Sequence, residues 1–488
     1  MQKLSVTALL MVSACSNLSV FAEEKEPSVA GTGENIALEQ PQESEQQEAA
    51  EEVEETPEPE MPAEETESIL LSGKEVNQII PAEATSVVFG VGSAEGDTLG
   101  NGITGHMEGD TYYILSENTI ICNDPSYMFK DHTRIRSIDL SNLDTGNAES
   151  FIYMFYGCIH LESLDLSGMD TGNARYMQFM FTNCYSLESI DLTGFDTSQV
   201  TNMNNMFDEC NSLRSLDVSG FDTSNVQEMN AIFAKCRSLT ELDVSNFDTS
   251  NATFIPSMFC GCSNLKTLDL SSFDISKVRF MQGLFEGCSK LESVDLSSFG
   301  RSEVVQIGGM FDGCESLKEI DLSNFETPNL KYMVETFRDC KRLESLDIRG
   351  IDCTHIEDPQ WQRYAFKDSP EISRIVVGSS WRFLESSGFT GNWEHAESGR
   401  VIDSLMFDGF DGEMPGTYVK TTKAVTAEVP DTSKPEEAAN EAAENKPETE
   451  ENQTSSQQTN DTHATQQRVQ KAVQSLVSRL RSLFSWFK

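Results

Sequence analysis

"CNSLRSLDVSGFDTSNVQEMNAIFAKC", residues 210–236, begins and ends on cysteine, and nearly the same sentence is written before and after it. Cys158, Cys184, Cys210, Cys236, Cys262, Cys288, Cys314 and Cys340 are spaced by 26 residues every time, without an insertion. So strict a period requires one structural unit per repeat. With position 1 at Ile135, Leu161, Leu187, Leu213, Leu239, Leu265, Leu291, Leu317 and Leu343, nine copies align. The shared pattern is L-x-x-L-D-L-S-x-F-D-T-S-x-V-x-x-M-x-x-M-F-x-x-C-x-x.

Within the unit, apolar positions 4 and 6 alternate with polar positions 3, 5 and 7, which predicts a short strand with one buried face. Positions 14, 17, 21 and 24, which are Val226, Met229, Phe233 and Cys236 in one copy, follow the i, i+3, i+7, i+10 spacing of a helical stripe. The second half of the unit therefore reads as a short helix, capped by the side-chain oxygens of "DTS". Isolated coils cannot bury these faces, whereas stacked coils hide them and pair their strands as a parallel sheet about 4.8 Å apart. The expected fold is an α/β solenoid, a leucine-rich-repeat-like stack of short parallel strands and short helices with disordered acidic flanks.

The cysteines then occupy one small buried slot per coil, where a reduced thiol acts as a small hydrophobe. Disulfides between neighbouring rungs are the rival reading. Cys122, Cys260 and Cys353 lie out of phase and are the better disulfide or reactive-thiol candidates. A line with one sulfur per coil cannot surround a metal ion.

Upstream, "TYYILSENTIICNDPSYMFKDH" keeps Met128 and Phe129 in phase and puts His132 in the cysteine slot. Downstream, "AFKDSPEISRIVV" resumes after a three-residue slip with Ser369 in that slot. The expected organisation is an export signal over 1–22, an acidic disordered segment over 23–66, an N-terminal cap over 67–134 and the repeats over 135–377. A closing module over 378–420, an acidic linker over 421–464 and a basic helix over 465–488 follow.

"SLDVSGFDTSNVQEMNAIFAKCRSL" resembles the 26-residue repeat of bacterial surface proteins and lipoproteins, a leucine-rich-repeat group related to BspA-type proteins. "FTGNWEHAESG" followed by "GTYVK" looks like the module that closes such arrays. The resemblance implies an extracellular, non-enzymatic solenoid concerned with adhesion or host contact, whose partner is a host or extracellular protein. Two departures stand out: no LPXTG-like sorting signal is present, and position 9 is apolar where many leucine-rich repeats use Asn.

Stacking would align Asp139, Asp165, Asp191, Asp217, Asp243, Asp269, Asp295, Asp321 and Asp347, all at position 5. Carboxylates about 4.8 Å apart repel by about 0.9 kcal/mol even in water. Hydrogen bonds from flanking Ser and Thr would compensate, and a weak file of divalent cations is the sharper alternative. This face has few aromatic residues, so recognition is sought at variable position 16, with Tyr176, Asn202, Glu228 and Phe254, or at Trp361, Trp381, Phe383 and Trp393. A capping role is the plain reading of those tryptophans.

The net charge of the 488 residues is −45, which disfavours nucleic acid as a partner. Much of it lies between Glu23 and Glu67, with seventeen glutamates and one lysine. At the N-terminus, "MQKLSVTALLMVSACSNLSVFAEE" reads as an export signal, with cleavage after Ala22 or lipidation of Cys15 both open. In the last segment, "QQRVQKAVQSLVSRLRSLFSWFK", an apolar stripe is accompanied by Arg468, Lys471, Arg479 and Arg481 and ends near Phe484, Trp486 and Phe487. This reads as an amphipathic helix on an anionic membrane or wall polymer, with oligomerisation or a local structural role as alternatives. His106, His132, His160, His355, His395 and His463 are scattered without ligand spacing, so neither enzymatic activity nor a cofactor is expected. The functional expectation is a secreted or cell-surface adhesion module, the alternative being a non-binding spacer or envelope scaffold.

Overall fold

The computed structural model of the protein describes residues 68–425, except 167, 383–386 and 404–414. The chain divides into two units, Met1–Ala427 and Glu428–Lys488, and the second lies outside the described residues. So do the export signal, Cys15, the acidic segment and the basic tail.

Residues 137–377 wind into a parallel stack of coils. Strand registers match equivalent residues in successive copies: Leu268 lies beside Val294, and Asp321 beside Asp347. A second seam joins position 16 of each coil to the next by single parallel bridges, from Ser150 through Tyr176, Asn202, Glu228, Phe254, Phe280 and Gln306 to Tyr332. The apolar positions of all coils merge into one continuous core, in which Leu213, Val226, Met229, Phe233 and Cys236 are fully buried. The rings of position 21 stack from Phe129 to Phe366 with centroids 5.3–6.1 Å apart, which adds ring–ring attraction to apolar burial at each step.

The expected helix in each repeat does not form. Among the described residues, α-helix is confined to Gly73–Ile79 in the cap. The second half of each coil is a chain of turns instead, because its backbone bonds are divided between two destinations. From Met203 to Glu209, alternate amides cross to the next coil: Met203, Asn205, Phe207 and Glu209 donate to the carbonyls of Glu228, Asn230, Ile232 and Ala234 at 2.8–3.0 Å. Between them, Met206, Asp208 and Cys210 donate locally to Met203, Asn205 and Phe207 at 3.1–3.2 Å. An amide committed to a neighbouring coil is lost to the i→i−4 ladder of a helix. Positions 19 and 23 also take left-handed φ, as at Asn205 (57°) and Glu209 (62°), which interrupts any right-handed helix.

Both ends are closed. At the first, Ser86–Val91 lies parallel between Thr111–Ser116 and Ser137–Asp139. The hairpin partners Ile103–Glu108 and Asp97–Gly100 complete a five-stranded sheet over buried Val87, Phe89, Tyr112 and Ile114. At the other, Glu319–Asp321, Ser345–Ile348 and Arg374–Val377 run parallel, and Gly416–Thr421 adds antiparallel to the last of them. Asn392–His395 and Val401–Asp403 extend that sheet. The reversal of direction occupies an edge that another parallel coil would otherwise extend. The three-residue slip is absorbed by the 3-10 turn Pro359–Gln362, after which Phe366 regains the ring stack at 5.6 Å from Phe337.

Candidate functional site

The in-phase cysteines form an internal ladder of free, buried thiols. Each Sγ donates to the carbonyl of the phenylalanine in the preceding coil, from Cys158 to Phe129 through Cys340 to Phe311, at 3.1–3.2 Å. Ser369 takes the same slot after the slip, its hydroxyl donating to the carbonyl of Phe337 at 2.7 Å. Burial pushes the thiols far up, Cys184 and Cys262 to about 12, so the nucleophilic thiolate is suppressed. Cys122 and Cys353 are also free and buried, both pushed to about 12 chiefly by burial. The expectation that these two form disulfides or reactive thiols is therefore corrected: their sulfurs sit inside the core. Cys260 packs with Ala231 and Ala234 in a small separate cluster.

Threonines form a second internal ladder. The "DTS" segment caps no helix. Thr145, Thr171, Thr197, Thr223 and Thr249 are buried, and their hydroxyls donate to the position-10 carbonyl of the next coil at 2.7–3.0 Å. The hydroxyls of Thr171, Thr197, Thr249 and Thr327 also accept the position-10 amide of that coil at 2.8–3.0 Å. The aspartate before Thr145, Thr171, Thr197, Thr223 and Thr249 closes a local turn, as where the Ser198 amide donates to Asp196 at 2.9 Å. Cys353 stands in this threonine position, which explains its being out of phase. The recurrence of Thr at a fixed offset was the available signal, since a cap needs Ser or Asp equally well.

On the strand face, Asp269 and Asp295 are in register, as are Asp321 and Asp347. Each of Asp139, Asp191, Asp217, Asp243, Asp269, Asp295 and Asp321 accepts the amide of its position-7 residue at 2.9–3.0 Å. Hydroxyl and amide donors of Ser219, Ser245 and Ser271 hold Asp217, Asp243 and Asp269 below the usual carboxylate range. At the C-terminal end Arg349 donates from Nε to Asp347 at 2.9 Å. Local donors thus stabilise the charge file. Among the described residues no group of three or more His, Cys, Asp or Glu is placed to hold a metal ion.

The outward position-16 side chains share one seam while differing from coil to coil: Tyr176 is exposed, and Phe254, Phe280 and Tyr332 are half-buried. Trp381 and Trp393 are buried in the closing module and Trp361 packs edge-on to Tyr332 at 4.8 Å, a capping arrangement. Phe383 lies outside the described residues. One aromatic group has no counterpart in the sequence expectations: Tyr127, Tyr153 and Phe179 hold position 19 in the first coils, where later coils have Asn205, Ala231, Ser257, Gly283, Gly309 and Glu335. The loss of aromatic residues from that column after Phe179 was its signal.

A parallel repeat solenoid with two internal polar ladders is thus the class of protein that the geometry defines. The chain belongs to the family described as "Mycoplasma protein of unknown function, DUF285", whose model matches residues 114–191, 186–291 and 257–374. No curated protein matches the chain. Among solved structures it is similar to the functional domain of InlJ from Listeria monocytogenes, described as including a cysteine ladder. The identity there is 17%, over 63% of this chain and 69% of that one, with a TM-score of 0.25. It is also similar to a leucine-rich-repeat protein of Leptospira interrogans, at 13% identity over 54% of this chain and 77% of that one, with a TM-score of 0.17.

Proposed function

We propose that the protein is an exported surface protein of the BspA-like kind, whose solenoid serves adhesion or protein–protein contact at the cell envelope. The observation that carries this reading is the division of labour within each coil. Core positions repeat with little change, whereas position 16 presents Ser150, Tyr176, Asn202, Glu228, Phe254, Phe280, Gln306 and Tyr332 along one seam. A rigid scaffold carrying a varied surface is the arrangement that repeat proteins use for extended binding faces. A spacer would need no such variation.

Attachment is proposed through lipid on Cys15, through the basic tail with Arg468, Lys471, Arg479, Arg481, Phe484, Trp486 and Phe487, or through both. The tail's charge and apolar stripe suit an anionic membrane or wall polymer. Binding of the full chain to host cells and to immobilised matrix proteins tests the main reading. Saturable binding is expected, and a signal that rises linearly without saturation would leave the spacer. Mass spectrometry of the mature N-terminus and co-sedimentation with anionic liposomes, with and without residues 465–488, test the two anchors.

A further inference from the structure

Position 19 takes left-handed φ in coil after coil, at Tyr127, Tyr153, Phe179, Asn205, Ala231, Ser257, Gly283, Gly309 and Glu335. Gly283 and Gly309 adopt it without steric cost. Tyr127 (66°), Tyr153 (58°) and Phe179 (60°) hold bulky rings in a conformation that such residues avoid. The turn imposes this φ on every coil, and in the first three it turns aromatic rings outward: they lie half-buried at the surface, outside the phenylalanine stack.

They form one connected patch. Tyr153 stacks on Phe179 at 4.7 Å and lies 5.2 Å from Tyr127, while Tyr156 meets it edge-on at 5.2 Å. Tyr185, 38% exposed, makes no ring contact with them but lies within electrostatic reach of Tyr156. Five of the protein's ten tyrosines fall between residues 127 and 185. Tyrosine concentrated on an otherwise Ser- and Asp-rich surface is the composition of a protein-binding hot spot.

Electrostatics select the partner. The ammonium of Lys130 lies 5.6 Å from the Tyr153 ring and 5.4 Å from the Tyr156 ring, so these rings already accommodate a cation. Asp131 pairs with that ammonium at 3.2 Å. Burial first, then the carboxylate of Glu209, raises the Tyr185 phenol, and Asp131 and Asp208 act likewise on Tyr156 after burial. Glu209 also pairs with Lys235 at 2.6 Å, so an incoming guanidinium would stack on the exposed ring faces and share carboxylates that already hold lysines, and the net charge of −45 steers cations toward the protein.

We propose that the Tyr153, Tyr156, Phe179 and Tyr185 surface of the first coils docks a basic polypeptide through its arginine side chains. This rests on the reading of the solenoid as a binding module and names a surface and a partner chemistry for it.

Fluorescence anisotropy of the full chain with labelled nona-arginine, nona-lysine and nona-glutamate at physiological salt tests the assignment. Nona-arginine should bind about fivefold more tightly than nona-lysine, and nona-glutamate should not bind. The double variant Tyr156→Ala/Tyr185→Ala should weaken nona-arginine about tenfold, whereas Tyr156→Phe/Tyr185→Phe stays within about twofold. Tyr185→Ala alone, at an exposed site, should still weaken binding about threefold if the double variant does not fold. Asp217→Asn/Asp243→Asn on the strand face should change nothing. Unchanged affinity in the alanine variants, loss through the strand-face variants, or displacement by a neutral glucan would overturn the proposal. The adhesion reading fails separately: cell binding that persists without peptide binding would remove only this surface.

Discussion

The substitution Thr197→Val distinguishes a ladder between coils from a cap within one. Thr197 is 1% exposed, and its hydroxyl donates to the Asp222 carbonyl at 2.9 Å while accepting the Asp222 amide at 2.8 Å. Valine keeps the shape and removes both bonds, leaving two backbone groups of the next coil without partners. Each such group costs about 1–3 kcal/mol when buried, so a total of about 3 kcal/mol is expected locally. Repeat arrays are stabilised by intrinsic and nearest-neighbour terms, so residue-resolved hydrogen exchange is the appropriate assay. The Asp222 amide should exchange about 100-fold faster in the variant. Thr197→Ser keeps both bonds and loses one buried carbon, with a cost of about 1 kcal/mol. If Asp222 exchanges as before while residues 198–200 lose protection, the hydroxyl is acting within its own turn and the ladder account is wrong.

Three further outcomes follow from the same geometry. Cys236→Ser should stay within about 1 kcal/mol of the parent, because Ser369 already fills that slot, whereas Cys236→Ala leaves the Phe207 carbonyl without its thiol donor and a small void, at about 1–2 kcal/mol by chemical denaturation. In the native protein the ladder thiols should resist iodoacetamide at pH 8 and react on denaturation, and rapid native labelling of Cys184 or Cys262 would contradict their burial. Burial raises the Asp208 carboxyl to about 6, above its ordinary value of 3.8, so its ionisation opposes folding above about pH 6 and the penalty fades as pH falls toward 4. Asp208→Asn should therefore stabilise by about 1–3 kcal/mol at pH 7.5 and by little at pH 4, and equal shifts in thermal midpoint at both would exclude that origin.

Much of the fold can be read in the chain. Leu213, Leu216, Val218, Phe221, Val226, Met229, Phe233 and Cys236 all point inward as their spacing requires, and the period of 26 puts equal residues in contact. The slip before Phe366 and the substitution of Ser369 for cysteine are also legible, because a repeat exposes its own exceptions. The strand-face aspartates are visible as a column, but their amide donors depend on turn geometry. The tyrosine patch is harder to see, since it depends on which rings of successive coils the turn at position 19 brings together at the surface.

The sequence by itself determined the period, the buried positions and the ladders that stacking must bring together, because burial of apolar side chains depends on order along the chain. Only the tertiary structure decided what the second half of each coil becomes. A 3-and-4 spacing of apolar residues suits a helix and an inter-coil run of turns equally well, and the choice rests on where backbone amides find acceptors. With a neighbouring coil one strand spacing away, alternate amides bond outward to it, left-handed residues turn the chain, and the helix that an isolated repeat suggests does not form.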